Sequence, residues 1–394
     1  MNATNWLEID LGALARNAQR VQKLIGKQCA LWAVVKADAY GHGAIPVART
    51  LEQMGVQRLC VASLAEGVEL READIKAPLM VLFPPLTDAD WDTALQNRLE
   101  VVIDIEASYQ GALRAATRWQ MPVDAHLEID TGMSRLGWLP NRLSELLQCW
   151  QPEHPIRWRS VFTHFACADC DLDATREQLR QFLMAVETLQ RAGFPNLPLH
   201  AAASAGLLAL PESRLDAVRC GLLLYGISPL FRLPRHHADK EQGTGFAVSH
   251  FEPVLSWRAR VLSVRTIAAG QGVSYGWQFH ATRPMHIATL GVGYADGYPI
   301  GLSGRTEVLL QGKRAPQIGR ICMDMLIIDV SHLPDVQPGE VAILIGKEGS
   351  EQIRVEELAH RLQTTPHELT TRLGKRPLRQ ILQPSGEFFE SDSV

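Results

Sequence analysis

The sequence predicts an α/β protein in which an N-terminal (β/α)8 barrel of the TIM type is followed by a C-terminal, mainly antiparallel β-domain. Three observations predict this order. Short apolar runs alternate with helical stretches in the first part of the chain, a polar segment follows, and short strands separated by turn residues occupy the remainder. We expect a barrel over residues 1–232, a linker over 233–248, a β-domain over 249–383 and a flexible tail over 384–394.

The barrel prediction depends on the number of apolar runs and on the helices between them. Runs of strand length, rich in β-branched residues, occupy 31–35, 59–62, 79–83, 101–104, 125–129, 160–163, 197–200 and 217–219. Helical spacing is present over 44–54, 64–72, 89–96, 108–118 and 175–191. Eight strands that alternate with helices are typical of a closed barrel. If the count is wrong by one, a doubly wound open sheet is the alternative.

The second domain follows the stretch RLPRHHADKEQGTG, whose polar residues, glycines and proline are typical of a linker. Short apolar runs bounded by turn residues then occupy 255–267, 286–290, 307–310, 326–330 and 341–345. This spacing predicts an antiparallel sheet. One helix is expected over 355–362.

The composition excludes several classes of protein. The 394 residues include 39 Lys and Arg and 43 Asp and Glu, a net charge of −4 that gives no sign of nucleic-acid binding. No apolar run approaches the ~18 residues of a membrane helix, and the start MNATNWLEIDLGAL does not resemble a signal peptide. Seven cysteines, an odd number, fit reduced thiols better than disulfides. We expect a cytoplasmic protein with no nucleic-acid or membrane partner.

Charged and polar residues stand at the carboxyl ends of the predicted barrel strands, where such barrels carry their active sites. They are Lys36, Arg135, His164, Ser204 and Arg219, and Gly221 follows the last of them. Together they predict a site for an anionic ligand. A lysine that closes an apolar strand is poorly hydrated, which lowers its pKa and makes its amine a nucleophile. The position of Lys36 alone fits a surface lysine equally well.

Seven segments of this chain resemble the motifs of alanine racemases and occur in that family's order. AVVKADAYGHG resembles the family's pyridoxal-phosphate lysine motif, and IDTGMSRLG, THFACAD, VRCGLLLYGISPL, VSYGW, GVGYADGYP and GRICMDM follow it. The resemblance extends from Trp6 to about Arg379. It implies pyridoxal 5′-phosphate as cofactor, alanine as substrate, interconversion of its L and D forms, a homodimer with shared active sites, and a supply of D-alanine for peptidoglycan.

The resemblance also implies roles for individual residues. The two bases would be Lys36, which also holds the cofactor, and Tyr275 of the partner subunit. Arg219 would face the pyridine nitrogen, and His164 would lie between Arg219 and Tyr275. The phosphate would be held near Tyr40, Ser204, Gly221 and His367. The substrate carboxylate and the entry passage would involve Arg135, Met323 and Tyr294. No metal site is implied.

At five positions the sequence departs from the family's pattern. Glu128 stands where most members have a lysine, often carbamylated, that orients the arginine corresponding to Arg135. His367 replaces a usual tyrosine, and Ile300 replaces a usual arginine. Cys220 and Ala203 replace a proline and a frequent asparagine. These departures bear on substrate choice and cofactor affinity.

Other interpretations remain open at this point. One is a racemase of altered or broad specificity, for example toward serine, which His367 suggests. An amino-acid decarboxylase is another, but such enzymes usually place a carboxylate at the pyridine nitrogen, whereas this chain has Arg219 there. A non-catalytic cofactor-binding barrel would not need a second domain with Tyr275. The pair Cys167 and Cys170 is a weak metal or redox motif, better explained as part of an acidic loop.

Overall fold

The computed structural model of the chain describes residues 3–230 and 250–383. The predicted linker, 233–248, and the predicted tail, 384–394, lie outside the described residues. Within the two described ranges, no helix has the length and the apolarity that crossing a membrane requires.

The first part of the chain alternates strands with helices. Its strands are β1 (Asn5–Asp10), β2 (Ala30–Val34), β3 (Arg58–Val61), β4 (Leu79–Val81), β5 (Val101–Ile103), β6 (Val123–Glu128), β7 (Ile156–Phe162), β8 (Leu199–Ala203) and β9 (Ala217–Cys220). Its helices are α1 (Leu11–Ile25), α2 (Lys36–Gly41), α3 (Ala44–Gln53), α4 (Leu64–Glu72), α5 (Asp88–Gln96), α6 (Glu106–Trp119), α7 (Leu143–Cys149), α8 (Leu172–Arg191) and α9 (Ser204–Ala209).

Strands β2 to β9 form a parallel barrel. In the described part of the chain they make one eight-stranded sheet in the order β4-β3-β2-β9-β8-β7-β6-β5. A parallel bridge between Met80 and Glu100 joins the two ends of this sheet. The closure decides against the open doubly wound sheet, so the predicted fold class is confirmed. Alternate residues of β2 face opposite ways: Leu31 packs in the cluster outside the barrel, and Trp32 packs in the cluster within it.

The second part of the chain is mainly antiparallel. Its strands are β10 (Leu255–Ile267), β11 (Gly272–Val273), β12 (Phe279–His280), β13 (Met285–Leu290), β14 (Glu307–Leu310), β15 (Lys313–Ile318), β16 (Leu326–Asp329), β17 (Val341–Glu348), β18 (Glu351–Ile353) and β19 (Leu378–Leu382). Helices α10 (Val355–Leu362) and α11 (Pro366–Thr371) follow β18. The order of the larger sheet, as far as the described residues show it, is β18-β17-β14-β15-β16-β13-β10-β1-β19.

Strand β1 ties the start of the chain to the second sheet. It pairs antiparallel with β10 and parallel with β19. Its residues thus lie inside the segment predicted as barrel and yet belong to the sheet of the β-domain. Helix α1 begins directly after β1. The last residue of β1, Asp10, caps the helix, because its carboxylate accepts from the Ala13 N–H at 2.8 Å.

Candidate active site

A cavity of about 530 Å³ opens at the carboxyl ends of the barrel strands. The cavity is lined by many of the residues singled out in the sequence: Lys36, Tyr40, Arg135, His164, Ser204, Arg219, Gly221 and His367. Arg219 lies in β9, the others except His367 follow barrel strands, and His367 reaches the cavity from α11 of the second domain. The structure thus brings the lysine, both arginines, the histidine and the serine hydroxyl around one space.

The turn that follows Lys36 has a rare backbone conformation. Four consecutive residues, 37–40, have φ between 52° and 56°, which makes one left-handed helical turn. Each such residue costs roughly 1–2 kcal/mol, so neighbouring groups must hold the turn. The Ala37 N–H donates to Glu66 at 2.8 Å, and the carboxylate of Asp38 accepts from the Ala44 N–H at 2.7 Å. Stored strain of this kind is typical of functional sites.

Gly41 lets this turn pack closely against the second domain. A Cβ on Gly41 would lie 2.0 Å from the carbonyl oxygen of Thr370, at the end of α11. Only a glycine fits there, and its φ of +83° suits glycine as well. The same contact sets His367 near the turn, where its ring lies 6.5 Å from that of Tyr40, edge to face. The second domain therefore completes one wall of the cavity.

Lys36 lies among positive charges. Burial lowers the pKa of its ammonium group, and the nearby guanidinium groups of Arg135 and Arg219 lower it further. The carboxylate of Glu66 opposes this effect. The amine is therefore neutral more often than that of an ordinary lysine, which makes it a nucleophile and a base.

Arg219 is a buried cation, only 3% exposed. It donates to the carbonyl oxygen of Thr163 at 2.7 Å and to Nδ1 of His164 at 3.1 Å, and its other terminal nitrogen donates to His200. Burial lowers its pKa to about 10. Among the described residues, no carboxylate forms an ion pair with it and no hydrogen-bond acceptor meets its Nε–H.

His164 is held as a neutral imidazole. Burial and the charges of Arg219, Arg135 and Lys36 keep its pKa well below the usual value. Because an arginine can only donate, Nδ1 of His164 accepts and the proton lies on Nε2.

Ser204, Gly221 and Tyr40 meet at one end of the cavity. The Ser204 hydroxyl oxygen accepts from the backbone N–H of Gly221 at 3.0 Å. A Cβ on Gly221 would lie 2.8 Å from the Tyr40 hydroxyl, so the glycine keeps this corner open. Burial raises the pKa of Tyr40, which keeps its hydroxyl protonated as a donor. Hydroxyl and backbone donors of this kind suit a phosphate group.

Glu128 and Arg135 occupy another side of the cavity. Glu128 is 4% exposed, and burial raises its pKa to about 7 although Arg219 and Arg135 act in the opposite direction. The loop that carries Arg135 is organised by Asp130, whose carboxylate accepts from the N–H groups of residues 132, 133 and 134. Sequence reasoning missed Asp130, although Asp followed by Thr-Gly is a typical turn pattern.

Replacing Glu128 with glutamine is expected to stabilise the protein above pH 7 and to have little effect below pH 4.5. The carboxyl titrates near 7 in the fold and near 4.5 in an ordinary environment. The fold therefore binds an extra proton between these values, and stability falls as the pH rises through them. The full difference is about 3 kcal/mol, from 1.36 kcal/mol per pKa unit.

Urea unfolding at pH 4 and pH 8 measures this difference. Glu72→Gln, which removes an exposed carboxyl, is the matched control and should change stability equally at both values. Equal behaviour of Glu128→Gln and the control would show that Glu128 ionises normally in the fold.

Tyr275, Tyr294 and Met323 lie elsewhere. They are on loops of the β-domain, and the described lining of this chain's own cavity includes none of them. Tyr275 is 70% exposed and follows Ser274, whose φ of +62° is held by its hydroxyl donating to the Arg320 carbonyl oxygen at 2.6 Å. The Tyr294 N–H donates to the Cys322 carbonyl oxygen. This hydrogen bond joins the loop of Tyr294 to the loop of Met323.

These loops and the segments beside them carry several exposed apolar side chains, which we call together the exposed loop face. Its members are the exposed side chains of Tyr275, Trp277, Tyr294, Ile300, Met323 and Met325.

The cysteine pair has a structural explanation. The Cys170 N–H donates to the Cys167 carbonyl oxygen at 2.9 Å, which forms the turn before α8. Asp171 then caps that helix by accepting from two backbone N–H groups. In residues 3–230 and 250–383, no three His, Cys, Asp or Glu side chains are grouped so as to hold a metal ion.

Comparison with known proteins identifies the family. Residues 9–229 match the family described as alanine racemase, N-terminal domain, and residues 254–381 match alanine racemase, C-terminal domain. The chain is 40% identical to the alanine racemase of a Nostoc species, over 92% of each sequence. It is 36% identical to that of Halothermothrix orenii, over 97% of each.

Solved structures agree with this result. The alanine racemase of Streptomyces lavendulae superposes with a TM-score of 0.88 at 31% identity, covering 98% of this chain and 99% of that one. The alanine racemase of Bacillus anthracis with bound L-Ala-P gives 0.87 at 31% identity, covering 97% and 96%. With both domains matched and the same architecture along the whole chain, this protein belongs to the alanine racemase family of isomerases.

Proposed function

We propose that the protein interconverts L-alanine and D-alanine with pyridoxal 5′-phosphate, and that each active site combines Lys36 of one subunit with Tyr275 of the partner subunit. One observation carries the proposal: a half-buried lysine with a lowered pKa faces a cavity that also offers Arg219 and a set of phosphate donors. The remaining parts of the proposal are a homodimer, a location in the cytoplasm and a supply of D-alanine for peptidoglycan.

The residues that line the cavity fit this cofactor. Lys36 would hold its carbonyl carbon covalently, and Ser204, Tyr40 and the backbone near Gly221 would hold its phosphate in the corner that a Cβ on Gly221 would fill. The Nε–H of Arg219, which has no acceptor among the described residues, would donate to the ring nitrogen. Because an arginine keeps its protons, it would act there only as a donor.

Inversion at Cα requires a proton to leave one face and another to arrive at the opposite face. The cofactor, when bound, supplies a sink for the electron pair of the broken Cα–H bond. Lys36 Nζ, whose pKa is lowered by burial and by Arg135, would take or give the proton on one face. Tyr275 Oη would do so on the other. Arg135 would bind the substrate carboxylate, and Met323 and Tyr294 of the partner subunit would border the entry.

The exposed loop face supports the dimer. Tyr275 does not line the cavity of its own chain, and it is largely exposed beside other apolar side chains. A second copy that covers this face would bury it and would bring Tyr275 of the partner subunit to the cavity. A two-fold arrangement would then make two equivalent sites.

Exchange of the Cα proton in D₂O tests the proposed activity. The purified protein, loaded with pyridoxal 5′-phosphate, is incubated with L-alanine, L-serine and larger L-amino acids. Proton NMR follows exchange, and chirality is measured in the same samples. We expect exchange and inversion of alanine at rates above those of the other substrates. Absence of exchange with alanine from a cofactor-loaded protein would contradict the proposal.

A broader specificity that includes serine is the second candidate function, and His367 favours it. Its ring lines the cavity next to Tyr40, and it is smaller than the tyrosine usual at this place. The additional space and a polar ring suit a hydroxymethyl side chain.

Replacing His367 with tyrosine is expected to lower the ratio of kcat/KM for serine to that for alanine by about 10-fold. A change of this size is typical when a pocket gains or loses space for one small group of the substrate. Kinetics on both substrates give the ratio, and His360→Tyr, an exposed histidine on α10, is the control. An unchanged ratio would show that His367 does not select the substrate.

A further inference from the structure

A line of polar side chains runs through the interior of the barrel beneath the cavity. We call it the core polar chain, and its members are Arg219, His200, Ser160, His126, Glu100 and Arg58. His200, Ser160 and His126 are completely buried, and Glu100 is 7% exposed. The roles proposed above use Arg219 alone. The interior of this barrel is therefore not the purely apolar one that the strand sequences suggest.

Each member contacts the next. Arg219 donates to Nδ1 of His200. His200 Nε2 lies 2.7 Å from the hydroxyl of Ser160, which lies 2.6 Å from His126 Nδ1. His126 Nε2 lies 3.0 Å from the carboxylate of Glu100, and Arg58 donates to the same carboxylate.

These contacts have only one consistent direction when both imidazoles are neutral. Because Arg219 can only donate, His200 Nδ1 accepts and its Nε2–H donates to Ser160. The Ser160 hydroxyl then donates to His126 Nδ1, and the His126 Nε2–H donates to Glu100. The alternative tautomer of His126 would set a lone pair against the carboxylate.

The charges agree with this direction. Burial, together with Arg219, His126 and Arg58, holds the pKa of His200 well below the usual value. Burial also lowers the pKa of His126. Burial opposes ionisation of Glu100, but hydrogen bonds from His126 and Arg58 outweigh it and bring its pKa to about 2. Glu100 is thus the anion of the line and is ion-paired with Arg58 at one end, and Arg219 is the cation at the other end.

Aromatic packing fixes both imidazoles. The ring of Phe162 stacks on His200 with centroids 4.9 Å apart and planes within 6°. Trp32 contacts both, with centroids 4.2 Å from His200 and 5.6 Å from His126. The Arg219 guanidinium lies 5.0 Å above the Phe162 ring. The rings are closely surrounded and cannot flip without displacing these neighbours.

We propose that the core polar chain positions Arg219, with Glu100 as its charged anchor and with Ser160, His126 and His200 as the positioning residues that connect the two. This inference rests on the proposed role of Arg219 at the cofactor ring. No carboxylate among the described residues forms an ion pair with Arg219, and the carboxyl of Glu128 acts on it only through its charge. A polarised line of hydrogen bonds that ends at Glu100 therefore orients the guanidinium. No proton needs to move along the line.

Two single variants and their combination test the proposal. Ser160→Ala breaks the line between the histidines. Glu100→Gln keeps an acceptor for His126 but removes the charge. Each is expected to lower kcat for alanine about 10- to 100-fold, as a small displacement of a catalytic group does, with a smaller change in KM. Each is also expected to shift the absorption maximum of bound pyridoxal phosphate and to weaken its binding.

Because the residues act in series, the double variant should lose no more activity than the more severe single variant. Ser160→Cys keeps a similar volume and a weak donor, so we expect an intermediate kcat. This variant also tests the proposal if Ser160→Ala does not fold. Ser213→Ala removes another buried hydroxyl, which bonds to a backbone carbonyl, and should affect stability only.

Two results would overturn the proposal: additive losses in the double variant, or a lower stability with an unchanged cofactor spectrum and unchanged kcat. Absorption and cofactor binding do not require racemisation. If the wild-type protein binds the cofactor but fails to racemise alanine, the proposed function fails, while these two readouts still test the positioning of Arg219.

Discussion

Replacing Lys36 with alanine is expected to lower racemisation of alanine by at least about 10³-fold and to abolish covalent retention of the cofactor. The side chain supplies both the amine that would hold pyridoxal 5′-phosphate and the base on one face of the substrate, and a positioned base alone contributes 10²–10⁴-fold. Because the charges of Arg135 and Arg219 repel that of Lys36, its removal also relieves repulsion. The variant should therefore remain folded.

Treatment with borohydride followed by denaturation measures covalent retention. The wild-type chain should keep the cofactor, and Lys36→Ala should release it. Lys27→Ala, an exposed lysine of the same domain, should behave as the wild type in both assays. Retention of the cofactor by Lys36→Ala would assign the covalent contact to another residue.

Replacing Tyr275 with phenylalanine is expected to lower racemisation by about 10²–10⁴-fold with no loss of stability. The side chain is 70% exposed in the chain, so the hydroxyl contributes nothing to the core. Lys36 would still exchange the Cα proton on its own face. One enantiomer of alanine should therefore exchange with D₂O without inversion, whereas the other should not exchange.

Proton NMR on each enantiomer separates these outcomes. Tyr298→Phe removes a tyrosine hydroxyl that lies 3.3 Å from Thr306 inside the same domain, and it should leave exchange and inversion intact. Equal residual exchange of both enantiomers by Tyr275→Phe would rule out Tyr275 as the base on the opposite face.

The order of the two domains could be predicted from sequence because burial leaves a local pattern. Each barrel strand is buried on both sides and therefore appears as a short apolar run. The place of β1 could not be predicted in this way, since its pairing with β10 joins residues about 250 positions apart. The left-handed turn after Lys36 was equally inaccessible, because contacts with Glu66 and Thr370, distant in sequence, hold it there.

Much of the candidate site could be predicted because its residues stand at the carboxyl ends of the strands. In a parallel barrel these ends all lie on the same side. The residues around Lys36 and Arg219 meet for that reason. The core polar chain was missed, although His126 and His200 stand at inward positions of strands whose neighbours are apolar. A histidine in such a position costs stability unless it is hydrogen-bonded, so each one implies a buried partner.

Hybrid dimers test the central claim, that each active site is shared between two subunits. Lys36→Ala and Tyr275→Phe chains, each at most weakly active alone and carrying different affinity tags, are mixed, allowed to exchange subunits and purified through both tags. Each hybrid dimer contains one site with Lys36 and Tyr275 intact and one site that lacks both. The account predicts about half of the wild-type racemase activity for the purified hybrid. A hybrid that is verified by both tags and remains inactive would contradict it.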